Sequence, residues 1–236
     1  MSSQVTQSKV KAFAVNNTML FFAVILFAAC MIGVPRFATG GNLMNILIQV
    51  SINALIACGM TFVILSDGID LSVGSVAAIA GVAGASLIKQ MPDAGIAACI
   101  AVILVTAVVV GTICGSINGF CIAKLNVPPF IATLAMMNAA RGLAYVFTDA
   151  KPVFGLPDSF GWVGLRSIGV IPVSIVLMVI VIGLSYLVLS KTCFGRYIYA
   201  VGSNKEVAKL TGINVTMTRF SVYVISGILA ALAGLV

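Results

Sequence analysis

Between Ala94 and Ala123 the chain contains no Asp, Glu, Lys or Arg. That run exceeds the roughly 20 apolar residues an α-helix needs to cross the hydrocarbon core of a bilayer. Five further uncharged runs accompany it: Ala12–Pro35, Phe37–Ser66, Leu71–Ile88, Ser167–Ser190 and Phe220–Val236. A weaker one, Pro129–Phe147, contains Arg141. A chain segmented in this way reads as an all-α, polytopic transmembrane helix bundle of about seven spans.

Composition closes the other routes. Of 236 residues, 61% are apolar and 8% charged, and the mean hydropathy is +1.19. A soluble domain carries about 25% charged residues, and one core of this size cannot hide so much apolar surface. Disorder requires low hydrophobicity and high net charge. A β-barrel would show short alternating segments instead of solid apolar runs. The net charge of +7 reads as basic residues flanking membrane helices, with membrane lipid and not nucleic acid as the partner. There is no His, and none of the six cysteines stands in a CxxC pair. The cysteines therefore read as reduced packing residues, and no catalytic or metal-binding set is expected.

The distribution of Lys and Arg sets the direction of the spans. With the N-terminus cytoplasmic, the inner segments hold Lys9, Lys11, Lys124, Lys191, Arg196, Lys205, Lys209 and Arg219. The outer ones hold Arg36, Lys89, Lys151 and Arg166, with Arg141 nearby. The first apolar stretch, Met19–Val34, is long for a signal peptide and lacks an A-x-A site, so it reads as a retained helix. The whole of 1–236 then forms one transmembrane domain, with a cytoplasmic tail at 1–17 and a long inner loop at 191–219. From Phe220 onward only about 25 Å of helix remains, slightly short of a bilayer core. The expectation is a chain incomplete at its C-terminus.

Small residues recur at helical spacing in Gly111, Gly115 and Gly119, and in Ser226, Ala230 and Gly234. In lipid such faces let backbones approach closely. They read as packing within the bundle, with dimerisation as the alternative.

Three stretches hold most of the polar chemistry. In Ser66-Asp67-Gly68-Ile69-Asp70-Leu71-Ser72 two carboxylates interrupt apolar sequence. Asp70 and Ser72 suit the start of a helix. The same residues also suit a broken helix lining a polar pathway, since irregular backbone at membrane depth is tolerated only inside protein or beside a cavity. In the second stretch Pro128-Pro129 opens a helix bearing Thr133, Asn138 and Arg141. Together with Asn53 and Asn118 these neutral groups either bond neighbouring helices or supply the donors and acceptors an uncharged polar solute needs. Arg141 either snorkels to the outer interface or faces the pathway. The third stretch runs from Thr192 to Val215. Within it Ser203 or Asn204 caps a short helix ending at Gly212, with Val207, Leu210 and Ile213 on one face and Lys205 and Lys209 on another. Such a helix is either a docking element or a membrane-surface helix.

FVILSDGIDLSVGSV, VPPFIATLAMMNAARGLAYVF and FGRYIYAVGSNKEVAKLTGINV, in that order, closely resemble one family. It is the permease subunit of bacterial ATP-binding-cassette importers for monosaccharides, the ribose-type branch of the branched-chain-amino-acid/sugar permease superfamily, located in the cell inner membrane. The resemblance implies alternating access for a pentose or hexose, driven by a cytoplasmic ATPase subunit that uses ATP and Mg. It also implies a periplasmic or lipid-anchored sugar-binding protein and a second permease copy. This chain has no GxxxxGK[ST] stretch and so no phosphate-binding loop of that type. No cofactor of its own is expected. By the same resemblance Gly202, Ser203, Asn204, Lys205, Glu206, Ala208, Leu210 and Gly212 form the ATPase-coupling segment. Two positions depart from the family pattern. Lys205 follows Asn204 where an acidic residue is usual, and Asp67 stands where small or hydroxyl residues are common.

Other classes compete. A secondary, ion-coupled transporter of a small polar solute would use Asp67 and Asp70 as its intramembrane ionisable groups. An intramembrane enzyme would need a positioned catalytic set. A pure assembly subunit would bind the ATPase and move no substrate.

Overall fold

A computed structural model describes residues 17–236 except 158, 163, 165, 166, 169 and 170. Lys9, Lys11 and Arg166 fall outside the described residues, as does nearly all of the expected 1–17 tail. The chain divides into two units, residues 1–47 and 48–236, each described by itself.

In the first unit, α1 (Thr18–Gly33) is a 16-residue apolar helix. It ends in a turn with Arg36 in the left-handed region at φ +67°. The Phe27 and Phe37 rings pack edge to face at 5.3 Å. Asn42 Nδ2 donates to the Phe37 carbonyl at 2.7 Å as α2 (Gly40–Leu65) begins. That helix continues into the second unit.

The second unit is a helix bundle. After α2 come α3 (Val73–Lys89), α4 (Ile96–Ala123) and α5 (Pro129–Thr148). A single 3-10 turn at Phe160–Trp162 and a two-residue antiparallel pair, β1 (Ser167–Ile168) with β2 (Ile171–Pro172), follow. The chain then forms α6 (Val173–Lys191), α7 (Cys193–Ser203), α8 (Lys205–Leu210) and α9 (Val215–Leu235). Among the described residues, α2, α4, α5, α6 and α9 are long and apolar enough to cross a membrane, by length and composition. α1 and α3 are shorter apolar helices. Each of the seven apolar segments thus forms a helix.

Helix α9 is the centre of the second unit, packed against α4 and α3, while α5 covers α3 and α4. The small-residue faces make this possible. A Cβ placed on Gly111 would overlap the Ile228 backbone, and one on Gly119 would come within 2.9 Å of the Phe220 carbonyl. One on Gly227 would meet the Gly111 carbonyl, and one on Gly234 the Ala77 carbonyl. The glycine faces are therefore filled by one another inside the chain, as close backbone packing in lipid requires. Ala230, Ala231, Ile103 and Val76 fill the adjoining core.

Two helix starts differ from expectation. Helix α6 begins at Val173 and not Ser167, because the β1–β2 pair takes up the preceding residues. Helix α9 begins at Val215 and not Phe220. The charge of Arg219 suggests a loop position, yet Arg219 is a buried helical residue. With 21 residues, α9 is about 31 Å long at 1.5 Å per residue, so the expected shortfall in this span disappears.

Connections that alternate in sequence fall at opposite ends of the unit. Lys124, Asn126, Lys205 and Asn214 line one cleft, and Lys205 reaches Asp67. At the other end Ser159 Oγ donates to the Ala94 carbonyl at 2.7 Å. This is the sidedness expected of antiparallel spans.

Candidate functional site

The site begins where α2 stops. Its last turn closes with Asp67 N donating to Ile64 O and Gly68 N donating to Val63 O, both at 3.0 Å. Asp67 occupies the left-handed position at φ +57°. This is the helix-ending arrangement in which Gly is commonest and a short polar side chain is tolerated. Gly68 follows in a confined place, since a Cβ there would come 2.6 Å from the Tyr223 hydroxyl. The chain then turns inward to Asp70, which is 3% exposed.

Asp70 is held by Ser72, the N-cap of α3, and by Ser226 of α9. Its Oδ1 accepts from Ser72 N at 2.9 Å and Ser72 Oγ at 2.6 Å. Its Oδ2 accepts from Ser226 Oγ of α9 at 3.0 Å. Ser72 Oγ in turn accepts from Asn118 Nδ2 of α4 at 3.0 Å, and the Tyr223 hydroxyl donates to the Ile69 carbonyl at 3.3 Å. The turn between α2 and α3 is thereby bonded to α4 and α9 through buried polar groups. Such groups are costly unless satisfied, and satisfied networks rigidify what they join. Ser226 stands about 17 Å along α9 from Val215 at the helical rise of 1.5 Å per residue. The irregular backbone of residues 67–72 thus bonds to the middle of a spanning helix.

The remaining pathway candidates lie elsewhere. Ser66 Oγ donates to the Val63 carbonyl at 2.8 Å and is buried. Thr133, also buried, donates to Pro129 O at 2.8 Å within its own helix. Asn138 Nδ2 donates to Leu134 O at 3.0 Å. Asn53, Asn138 and Arg141 are exposed. Of the nine residues proposed for the pathway, Asp70, Ser72 and Asn118 form one network. Tyr223 and Ser226 complete it and escaped the sequence reading. The small-residue spacing explains Ser226 by its size alone, whereas a hydroxyl in an apolar span is itself a signal of a buried polar partner.

The stretch from Thr192 to Asn214 is not a loop. Thr192 Oγ1 accepts from Gly195 N at 3.2 Å and starts α7. Gly195, Ile198 and Val201 are its buried face, a three-residue spacing legible in the sequence. Gly202 presses α7 against the end of α2, where a Cβ would overlap the Leu65 carbonyl. Asn204, not Ser203, caps α8: its Oδ1 accepts from Glu206 N at 3.0 Å and Val207 N at 3.1 Å. The helix closes as Gly212 N donates to Lys209 O and Ile213 N to Ala208 O, both at 3.1 Å. Gly212 sits at φ +84°, a conformation glycine adopts without cost.

The apolar face of α8 turns outward, as either a docking or a membrane-surface helix requires. Ala208 is the buried residue, whereas Val207 and Leu210 are 55% and 87% exposed. Ala208 is small enough to bring the helix close to the bundle, and the larger apolar side chains point away. Lys205 Nζ meets Asp67 Oδ2 at 2.8 Å. The two positions that depart from the family pattern are therefore partners.

The family described as "Branched-chain amino acid transport system / permease component" matches residues 42–236. The ribose import permease protein RbsC of Haemophilus influenzae is 39% identical over all of this chain and 72% of its own length. RbsC of Escherichia coli strain K12 is 41% identical over 96% of this chain and 70% of its own. The L-arabinose transport system permease protein AraH of the same strain is 39% identical over 92% of this chain and 65% of its own. No solved structure matches.

Proposed function

The chain belongs to the branched-chain amino acid transport system / permease component family, and from that premise we propose that it is the membrane-spanning subunit of an ATP-driven monosaccharide importer. It is a multi-pass membrane protein. The names of its relatives support a ribose-like pentose or a hexose as cargo. The proposed partners are a cytoplasmic ATPase that consumes ATP and Mg, a sugar-binding protein on the opposite side, and a second permease copy. The N-terminus and α8 face the cytoplasm in this reading.

One observation supports the coupling role above others. Helix α8 is capped at both ends, rests on the bundle through Ala208, and turns Val207 and Leu210 outward. A monomer gains nothing by exposing Leu210 on a six-residue helix at the cytoplasmic end. A partner protein that buries it does.

The mechanism follows from what α8 touches. Closure of the ATPase pair displaces α8. Lys205 pulls on Asp67, and Gly202 bears on the Leu65 carbonyl. Both contacts act on the end of α2 and the turn that follows it. That turn is bonded through Asp70 and Ser72 to α9 and α4, so the displacement is handed to the central helices. Alternating access results when the packed helices occupy one of two arrangements. Asp70 acts here as a staple between helices, and the neutral groups Asn53 and Asn138, exposed on α2 and α5, are the candidates for sugar contact. The test is ATP-dependent uptake of labelled ribose, arabinose or galactose into proteoliposomes that contain the permease, ATPase and binding protein. Uptake that needs ATP and survives collapse of the proton and sodium gradients supports this reading. Uptake that follows an ion gradient without ATPase favours the secondary carrier.

A further inference from the structure

Beside α8 lies a cleft of about 420 Å³ lined by Lys124, Lys205, Lys209 and Arg219, with Glu206 as the carboxylate among its described lining residues. Lys205 is engaged by Asp67, which leaves three cations facing one anion. Arg219 is 8% exposed, and its Nε has no hydrogen-bond partner among the described residues. A buried guanidinium group needs an anion or acceptor, and the cleft it lines is where one can enter.

A second depression, of about 470 Å³, adjoins this cleft and shares Ala123, Lys124, Asn214 and Thr216 with it. Its own walls are Gly119, Phe120, Met217 and Phe220. Phe120 and Met217 are 45% and 58% exposed. Lys124 marks the boundary, with its Nζ 5.5 Å from the centroid of the Phe120 ring. A basic cleft thus adjoins an apolar groove lined by α4 and α9, at the end where α4 finishes and α9 begins.

We infer that this composite site binds one anionic phospholipid of the leaflet on the α8 side, its phosphate among Lys124, Lys209 and Arg219 and an acyl chain along Phe120, Met217 and Phe220. A free phosphate would use the cleft alone and leave the adjoining groove without purpose. A zwitterionic lipid would bring its own cation into a place already rich in positive charge. Basic pockets between membrane helices are suited to anionic headgroups for this reason. Helix α8 lines the cleft with Lys205, Glu206 and Lys209, of which Lys209 is the cation free to meet the phosphate, while Val207 and Leu210 remain outside the cleft. Lipid and ATPase therefore engage different faces of the same helix. The assignment of this end to the cytoplasmic leaflet rests on the proposed function; the lipid site itself does not.

The test is native mass spectrometry of the detergent-purified chain with added phosphatidylglycerol, phosphatidylcholine or inorganic phosphate. Phosphatidylglycerol retained several-fold above phosphatidylcholine, and lost by about five-fold per lysine removed in Lys124→Gln and Lys209→Gln, is the expected result. The lysines are exposed, so these variants fold even where Arg219→Gln does not, and thermal melting of each verifies that. Equal retention of both lipids, or displacement of phosphatidylglycerol by inorganic phosphate alone, overturns the proposal; the latter leaves a small-anion site. Capture of the partner ATPase is measured on the same samples. Lipid retention without capture counts against the coupling role only, and capture without lipid selectivity counts against the lipid site only.

Discussion

Lys205 Nζ lies 2.8 Å from Asp67 Oδ2 and joins residues 138 positions apart. The pair bridges the first turn of α8 and the left-handed residue that ends α2. Its side chains are 37% and 68% exposed, so its effect on stability is small, about 0.2–1 kcal/mol. Its value is mechanical. Asp67→Asn keeps a residue that tolerates φ +57° and removes only the charge. It is expected to leave the melting temperature within a few degrees and to lower sugar transport per ATP hydrolysed. The exchange Asp67→Lys with Lys205→Asp restores part of the coupling that either single change loses. Transport and ATPase rates in proteoliposomes supply the double-mutant cycle.

Gly202 and Gly212 lie in the same segment but fail differently when substituted. A side chain at Gly202 collides with the Leu65 carbonyl, and overpacking of this kind costs about 1–3 kcal/mol. Gly202→Val therefore lowers the unfolding temperature of the purified chain. Gly212 has open space around its Cβ position but φ +84°. Gly212→Asn is tolerated, whereas Gly212→Val strains the end of α8 and weakens ATPase capture more than stability. Thermal unfolding and capture, measured side by side, separate the two.

Asp70→Ala leaves Ser72 N, Ser72 Oγ and Ser226 Oγ without their acceptor. Each unsatisfied buried group costs about 1–3 kcal/mol. The variant is expected to lose stability steeply, and Asp70→Asn to recover part of it. Full stability together with abolished transport would instead make Asp70 a pathway residue.

Asn204→Ala removes the cap from Glu206 N and Val207 N, a loss of about 1 kcal/mol for the helix. In a six-residue helix that is enough to fray it. ATPase capture should fall several-fold and return with Asn204→Asp or Asn204→Ser.

Much of this was legible in the residues because the membrane makes its demands in plain terms. Uncharged runs marked six of the apolar helices and a run broken only by Arg141 marked the seventh, and Asn204 and Gly212 marked the ends of α8 by their capping chemistry. Charge misled at Arg219, where a cation was read as the edge of a span although the helix had already begun at Val215. The direction in which α8 faces was not legible for a different reason. Periodicity says which residues share a face, but only the contact with the bundle says that Ala208, and not Leu210, is turned inward. The Asp67–Lys205 pair and the Asp70–Ser226 bond were beyond reach because they join segments more than 130 residues apart. Only packing decides such partners.

The central claim is that α8 is the docking element for the ATPase. The most direct measurement is capture of the partner ATPase by the detergent-purified permease, comparing the natural chain with Val207→Glu/Leu210→Glu. Both positions are exposed, so elution volume and melting temperature should be unchanged. The account predicts that the natural chain retains the ATPase and that the double variant loses it by at least about ten-fold, as expected where a buried apolar anchor is replaced by charge. Equal capture by both proteins would contradict it.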